Sequence, residues 1–437
     1  MRLLHFFSGT CTIRGRRVRF SLLMIAYDTY HLANGLTLLV MEQPTTPLVA
    51  INTLYDVGAR DEEADRTGFA HLFEHLMFGG TKAVSDYDRV VSEMGGESNA
   101  ATNNDFTHYY LTVPCGQLEA ALRLEADRMR LLDFSQRSLS VQQSVVTEEY
   151  HYRYVNQPYG DVWMLLRPLC YKVHPYRWCT IGADIRHVQE ASVADVEHFF
   201  FKHYRPRHAT MAVAGNVRSQ EVARLVEQLF GDIEAGAPYE RCLPPEPMQQ
   251  EARTLHVRRS VPADALYMAY PTCGRTEADF AATDLVSDIL SNGRSSRLYT
   301  ELVMQRQLFT ELDAYVTGDR DPGLFVVAGK VAEGVELETA RRVVEQQLAR
   351  LADEQVPEAE LQKVVNKFEA TFGYGQLKAL DCAMSLCYYQ WLGHPEWVNT
   401  EPELYRQVTA ADVRRVAEAM FAPCRQSVLY YERETNA

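Results

Sequence analysis

From residue 27 onward the apolar positions follow two rhythms. Short apolar runs at 36–42 and 48–57, closed off by polar and turn-forming residues, predict β-strands. Segments 98–103 and 106–113 also read as strands, the second alternating through Thr107, Tyr109, Leu111 and Val113. Three-to-four spacing predicts helices over 67–79, 85–94, 116–132, 138–153 and 192–204, with Thr210–Ala214 as a further strand. Residues 234–251 break the pattern. They hold Gly236, Pro238, Pro244, Pro245 and Pro247 among polar, Glu-rich filler and read as a linker with no apolar anchor.

After the linker the order of elements starts again. Strands at 253–258 and 264–270 precede helices at 278–291 and 296–306; strands at 311–317 and 323–330 precede helices at 335–351 and 357–371. Residues Ser192 to Val196 open one helix and Thr409 to Val413 another. In each, Asp stands three residues after a hydroxyl residue, a helix-start signal in which both side chains accept hydrogen bonds from free amides. Asp195 and Asp412 are 217 positions apart, as are Pro206 and Pro423. An equal offset within two parallel series of elements points to duplication. The expected fold class is α+β: two homologous α/β-sandwich-like halves, each a mostly antiparallel sheet packed with helices, joined by a linker and enclosing a cleft. The expected domains are an N-terminal extension (1–24), a first domain (25–233), a linker (234–251) and a homologous second domain (252–437).

Composition narrows the function. The chain has 437 residues, 46% hydrophobic and 23% charged, which excludes disordered and fibrous classes. The net charge of −14 argues against nucleic acid as a partner. Nine widely spaced cysteines without a C-x-x-C pair suit buried thiols in a reducing compartment, so a bacterial-type cytoplasmic location is expected, with mitochondrial or periplasmic placement as alternatives. No apolar stretch is long enough to predict a membrane span. Residues 1–24 carry five arginines and no acid, which fits a transit peptide or an upstream extension ahead of a start at Met24; the second reading is preferred.

The candidate chemistry lies in Gly68–Phe78. His71 and His75, four apart on a helix, share a face, and Glu74 adjoins it. Two imidazoles at that spacing grip one metal ion, while the carboxylate reaches a water beside it. By composition alone an H-x-x-E-H arises in roughly a few per cent of such chains. Here, however, the flanking Leu72, Phe73, Leu76, Met77 and Phe78 make the helix apolar nearly all round. Burying two imidazoles and a carboxylate there without a shared partner costs several kcal/mol. A third ligand must come from elsewhere. Helix 138–153 offers Glu148 and Glu149, which point about 100° apart, and periodicity alone leaves both open.

With these residues the chain resembles the pitrilysin/insulinase family of inverzincin metallopeptidases, in particular its mitochondrial-processing-peptidase-like branch. The resemblance spans about residues 27–431. It is carried by Gly68–Thr81, by Asn99-Ala100-Ala101-Thr102 with Thr107, Tyr109 and Tyr110, by Val145–Glu149, by Tyr204-Arg205-Pro206 with Ala212–Asn216, and by Ser295–Tyr299. It implies a zinc endopeptidase with His71, His75 and Glu149 as ligands and Glu74 as general base. It also implies an edge strand at Asn99 and Ala100 that binds extended peptide by strand addition. Two positions depart from the family pattern. Gln142 stands where many members carry a glutamate, seven residues before the distal ligand. Val303 and Thr310 stand where active single-chain members carry an Arg/Tyr pair that reaches the substrate. The expected partner is therefore a paralogous subunit supplying that pair in a heterodimer, or else a second copy in a homodimer. The alternatives are a non-catalytic scaffold subunit of the same fold and a metal transport or storage protein.

Overall fold

The computed structural model describes residues 6–13 and 16–434, the first two strands through their backbone alone. The readings made for residues 1–5, 14, 15 and 435–437, and for side chains before Met24, lie outside the described residues. Strands β1 (Phe6–Ile13) and β2 (Arg16–Leu23) pair as an antiparallel hairpin. There follow β3 (Asp28–His31), β4 (Thr37–Glu42), β5 (Leu48–Tyr55), α1 (Phe69–Leu76), α2 (Tyr87–Glu93), β6 (Glu97–Thr102), β7 (Thr107–Pro114), α3 (Leu118–Arg130) and α4 (Gln136–Tyr150). Next come α5 (Val162–Cys170), α6 (Ile185–Gln189), α7 (Val193–His203), β8 (Ala209–Gly215) and α8 (Ser219–Phe230). Beyond the Pro-rich segment lie β9 (Arg253–Arg259), β10 (Ala265–Pro271), α9 (Phe280–Ser291), β11 (Phe309–Val316), β12 (Leu324–Val331), α10 (Leu337–Asp353) and α11 (Glu358–Tyr374). The described chain closes with α12 (Ala379–Leu392), α13 (Trp397–Gln407), α14 (Ala410–Met420) and β13 (Ser427–Arg433).

The strands form two large mixed sheets. The first runs β3-β4-β8-β5-β7-β6 and is parallel only between β4 and β8. The second runs β9-β13-β10-β12-β11 and is parallel only between β9 and β13. Strand for strand, β4, β8, β5, β7 and β6 correspond to β9, β13, β10, β12 and β11 in the same order and sense. The capping signals repeat too. The Ser192 Oγ accepts from the Asp195 amide at 3.2 Å and the Asp195 carboxylate accepts from the Ser192 amide at 3.0 Å; Thr409 and Asp412 give the same two distances.

The compact units are not contiguous halves. One comprises the described residues up to Tyr150 with Cys179–Leu243 and Ala370–Thr400; the other comprises His151–Trp178, Pro244–Glu369 and the described residues from Glu401. The expected division at 234–251 thus describes the order of the chain, while each unit takes one helix from the other side of the linker. In the first unit, α12 lays Cys382, Ala383, Leu386, Cys387 and Leu392 on Leu39, Ala50, Leu54, Ala212 and Ala214 of the sheet. In the second, α5 lays Val162, Leu166 and Cys170 on Ala265, Ala269, Val326 and Leu429. The sheet alanines leave room for a helix to approach closely. The two exchanged helices start 217 residues apart, the spacing of the capping boxes.

The linker is also more firmly held than its composition suggests. Arg241 pairs with Asp61 at 2.6 Å and Asp56 at 3.1 Å, and the Trp391 indole of α12 donates to the same Asp56 at 2.7 Å. In the other unit Glu246 accepts the amides of Lys172, Val173 and His174 at 2.7–2.9 Å. Polar anchors replace the missing apolar ones.

The exchange has a measurable consequence. Each buried aliphatic side chain of α12 contributes about 1.5–3 kcal/mol, so losing the helix removes an amount comparable to the whole stability of a typical domain, about 5–15 kcal/mol. Fragments 24–243 and 244–437 expressed separately should each bind a hydrophobic dye and melt without a cooperative transition. Co-expressed, they should recover one. A sharp calorimetric transition in either fragment alone would contradict this account.

Candidate metal centre

Helix α1 is eight residues long and starts from Gly68, which has φ of +89°. An added Cβ there would meet Ile181 O and a Val188 methyl at 2.8 Å each, so glycine is required for both space and conformation. Leu72, Phe73 and Leu76 are buried. Phe73 stacks on Phe199 and Tyr204, which turns His71, Glu74 and His75 to the opposite, partly open face. Where α1 ends, Phe78 meets a buried knot in which Arg128 pairs with Glu125 at 2.6 Å and lies 4.7 Å from the rings of Tyr87 and Tyr109.

Helix α4 supplies the third group. Leu139 and Val146 are its buried residues, whereas Val141 and Val145 are exposed. Glu149, one turn beyond Val146, therefore faces inward and Glu148 outward. This resolves the choice that periodicity left open. One Glu149 oxygen lies 3.3 Å from His71 Nε2 and 3.1 Å from His75 Nε2, and the two imidazoles meet edge to face with centroids 4.9 Å apart. Among the described residues, His71, His75 and Glu149 are the only His/Cys/Asp/Glu group of three whose potential ligand atoms all fall within 4.8 Å.

Glu74 lies on the other side of His71, 3.5 Å from Nδ1. Burial acts to raise its carboxyl, but His71 and the Thr102 hydroxyl outweigh it and hold Glu74 below the ordinary carboxylate range. Burial likewise acts to lower His71. Hydrogen bonding to Glu149 and Glu74 prevails and lifts it to about 9. Two carboxylates around a largely buried imidazole thus demand positive charge, and two nitrogens with one oxygen are a zinc donor set. The residues fit a zinc ion.

Asn99 and Ala100 lie on β6, the edge strand of the first sheet, in register with Tyr110 and Tyr109. Ala100 is buried, Asn99 is exposed, and the Asn99 Oδ1 accepts from the Ala100 amide at 2.8 Å. Thr102, on the same pleat side as Ala100, has a buried hydroxyl that helps hold Glu74 ionised from beyond ordinary hydrogen-bond distance. Sequence reasoning missed Thr102 and also Glu62, whose carboxylate caps α1. For Thr102 the signal was the alternation of β6; for Glu62 it was an acid shortly before a helix that starts on glycine. In the second unit, Val303 packs against the core and Thr310 is exposed at an irregularity of β11. Gln142 sits two turns before Glu149, with its amide nitrogen 3.4 Å from where a Cβ on Gly79 would stand.

Two duplicated mixed sheets carrying one H-x-x-E-H helix define a class of protein that the comparisons then specify. The model described as insulinase (peptidase family M16) matches residues 37–162, and that described as peptidase M16 inactive domain matches 190–368. The chain belongs to the insulinase family, M16. It is similar to the zinc protease PqqE of Helicobacter pylori, 27% identical over 414 residues that cover 92% of each chain. The crystal structure of a protease from Helicobacter pylori superposes with a TM-score of 0.88 at 26% identity, over 94% of this chain and all of that one. A peptidase M16 inactive domain from Pseudomonas fluorescens shares the fold with a TM-score of 0.84 at 18% identity, over 94% of this chain and 99% of that one.

The charge balance at His71 can be tested without metal. In metal-free protein its imidazole should titrate near 9 by NMR, and Glu149→Gln should bring it down toward the ordinary histidine value. A folded value raised above the unfolded 6.5 means that this pairing stabilises the metal-free fold fully below pH 6.5 and is lost as pH rises through 9.

Proposed function

We propose that this chain is a zinc-dependent endopeptidase that hydrolyses unfolded peptides held as an added strand on β6. The observation that carries the reading is the convergence of His71, His75 and Glu149, with an ionised Glu74 beside them and an open sheet edge next to Glu74. The family and the zinc protease names of its relatives support it. His71, His75 and Glu149 hold the ion; when bound, it supplies Lewis acidity to the scissile carbonyl and lowers the pKa of water. Glu74 takes the proton of the attacking water and delivers it to the departing amine. Asn99 and Ala100 pair with substrate backbone, which gives affinity with little side-chain selectivity.

Within this reading the chain is the zinc-bearing subunit of a two-subunit enzyme. Val303 and Thr310 offer neither the guanidinium nor the phenol that the family's single-chain enzymes place on substrate. A paralogous partner would provide them.

Glu74→Gln should keep one zinc per chain by metal analysis and lower peptide hydrolysis by about 10²–10⁴-fold. Equal turnover in wild type and variant would remove Glu74 from the chemistry and favour the scaffold reading. Zinc affinity, measured against a chelator, should rise about tenfold per pH unit up to pH 9, because the ion must displace the His71 proton. Full peptidase activity of the purified chain, unaltered by a paralogous chain carrying the Arg/Tyr pair, would refute the two-subunit assignment.

A further inference from the structure

We propose that Glu62 is a positioning residue for the metal centre, acting through the N-terminus of α1; the inference rests on the metal reading above. The first amides of any helix lack intrahelical partners, and a side-chain cap normally answers some of them. At α1 the capping position is Gly68, which has no side chain and no room for one. Glu62, six residues upstream and buried, takes over. Its Oε2 accepts from the Gly68 amide and its Oε1 from the Ala70 amide, both at 2.9 Å.

The geometry matters because His71 is the third residue of the helix. Its direction is set by the backbone of Phe69 and Ala70, the turn that Glu62 clamps. His75, one turn on, is held instead by the packing of Leu72 and Leu76. The preceding residues are fixed as well. The Thr67 hydroxyl accepts from the Ala183 amide at 2.8 Å, and the Thr67 amide donates to His187 Nδ1 at 3.2 Å. Releasing the clamp therefore leaves the first turn free to shift while the second stays in place. The His71–His75 separation is then the quantity that changes, and metal sites tolerate only about 0.2 Å of error in ligand distances. Neutral and ionised carboxyls both keep lone pairs on each oxygen, so the clamp persists across the range in which Glu62 titrates. An amide does not: Glu62→Gln keeps the size and places an N–H₂ against one of the two backbone N–H groups.

The test compares wild type, Glu62→Gln and Glu62→Asp with Co²⁺ as the metal probe, read by chelator competition and by the visible absorption of bound Co²⁺. Amide exchange at Gly68 and Ala70 is followed in the metal-free proteins. Glu62→Gln should fold, exchange these two amides faster than wild type, bind Co²⁺ about 10- to 100-fold more weakly and shift its absorption bands. Glu62→Asp, which keeps the carboxyl group with a shorter reach, should recover part of the affinity. If Glu62→Gln binds Co²⁺ within about twofold of wild type with unchanged bands, the proposal is wrong. Loss of cooperative folding in both variants also overturns it, because the clamp then serves the fold as a whole. Failure of the wild type to bind Co²⁺ is a different result: it removes the metal reading, and this proposal with it.

Discussion

The arrangement turns on one electrostatic demand. Two imidazoles and two carboxylates are gathered on and around an eight-residue helix, with side chains between 11% and 23% exposed. Groups of this kind, taken from water, require a shared positive charge. Without metal the demand falls on His71, which is held protonated well above its ordinary range. The surroundings keep the four groups from relieving it by moving apart. The buried face of α1 is fixed on the Phe199 and Tyr204 rings, α4 is registered by Leu139 and Val146, and β6 brings Thr102 against Glu74.

Much of this was legible in the sequence where a local pattern and a burial pattern agreed. The alternation through Thr107–Val113 became β7 and the 217-residue offset became two sheets of the same strand order, because period and capping are local properties. The His71–His75 pair was legible for the same reason: residues four apart on a helix must share a face. The choice between Glu148 and Glu149 was not, because both lie beside apolar residues and only the packing of α4 shows that Val146 is core while Val141 and Val145 are surface. Helix 296–306 was expected as an ordinary helix and is a π-helical segment, Tyr299–Gln305; β3, α5, α6, α8, α13 and β13 went unread. The exchange of α5 and α12 was hidden for a deeper reason. Amphipathic periodicity says that a helix needs an apolar surface and is silent about which one, and two duplicated sheets present nearly equivalent alanine-lined faces.

The two copies also differ in what they do with the helix after the second strand of the repeat: α1 gathers ionisable groups on an open face, and its counterpart does not. The corresponding helix α9 is longer and almost wholly buried, and its polar groups are committed internally: Asp284 accepts from the Tyr405 hydroxyl at 2.7 Å, and Asp288 from the Asn292 amide at 2.5 Å. Burial raises Asp288 to about 6. No His/Cys/Asp/Glu triad at ligand spacing forms among the described residues of that unit. The same scaffold thus supports a polar, charge-demanding face in one copy and a sealed core in the other.

That contrast decides how the structural likenesses are to be weighed. A Pseudomonas fluorescens domain described as inactive matches this chain's fold almost as well as the Helicobacter pylori protease does. A sheet order that tolerates both a polar, charge-demanding face and a filled core within one chain carries no information about catalysis. The discriminating content lies in a few side chains: His71, Glu74, His75 and Glu149 at the centre, and Glu62 and Thr102 in support. A relative that keeps the fold and loses His71, His75 or Glu149 would have an incomplete donor set, and the remaining buried groups would relieve themselves by changing protonation; one that loses only Glu74 would keep the donor set and lose the base. The presence of all four together, against the cost of burying them, is the feature on which the proposed reading differs from a scaffold of the same shape.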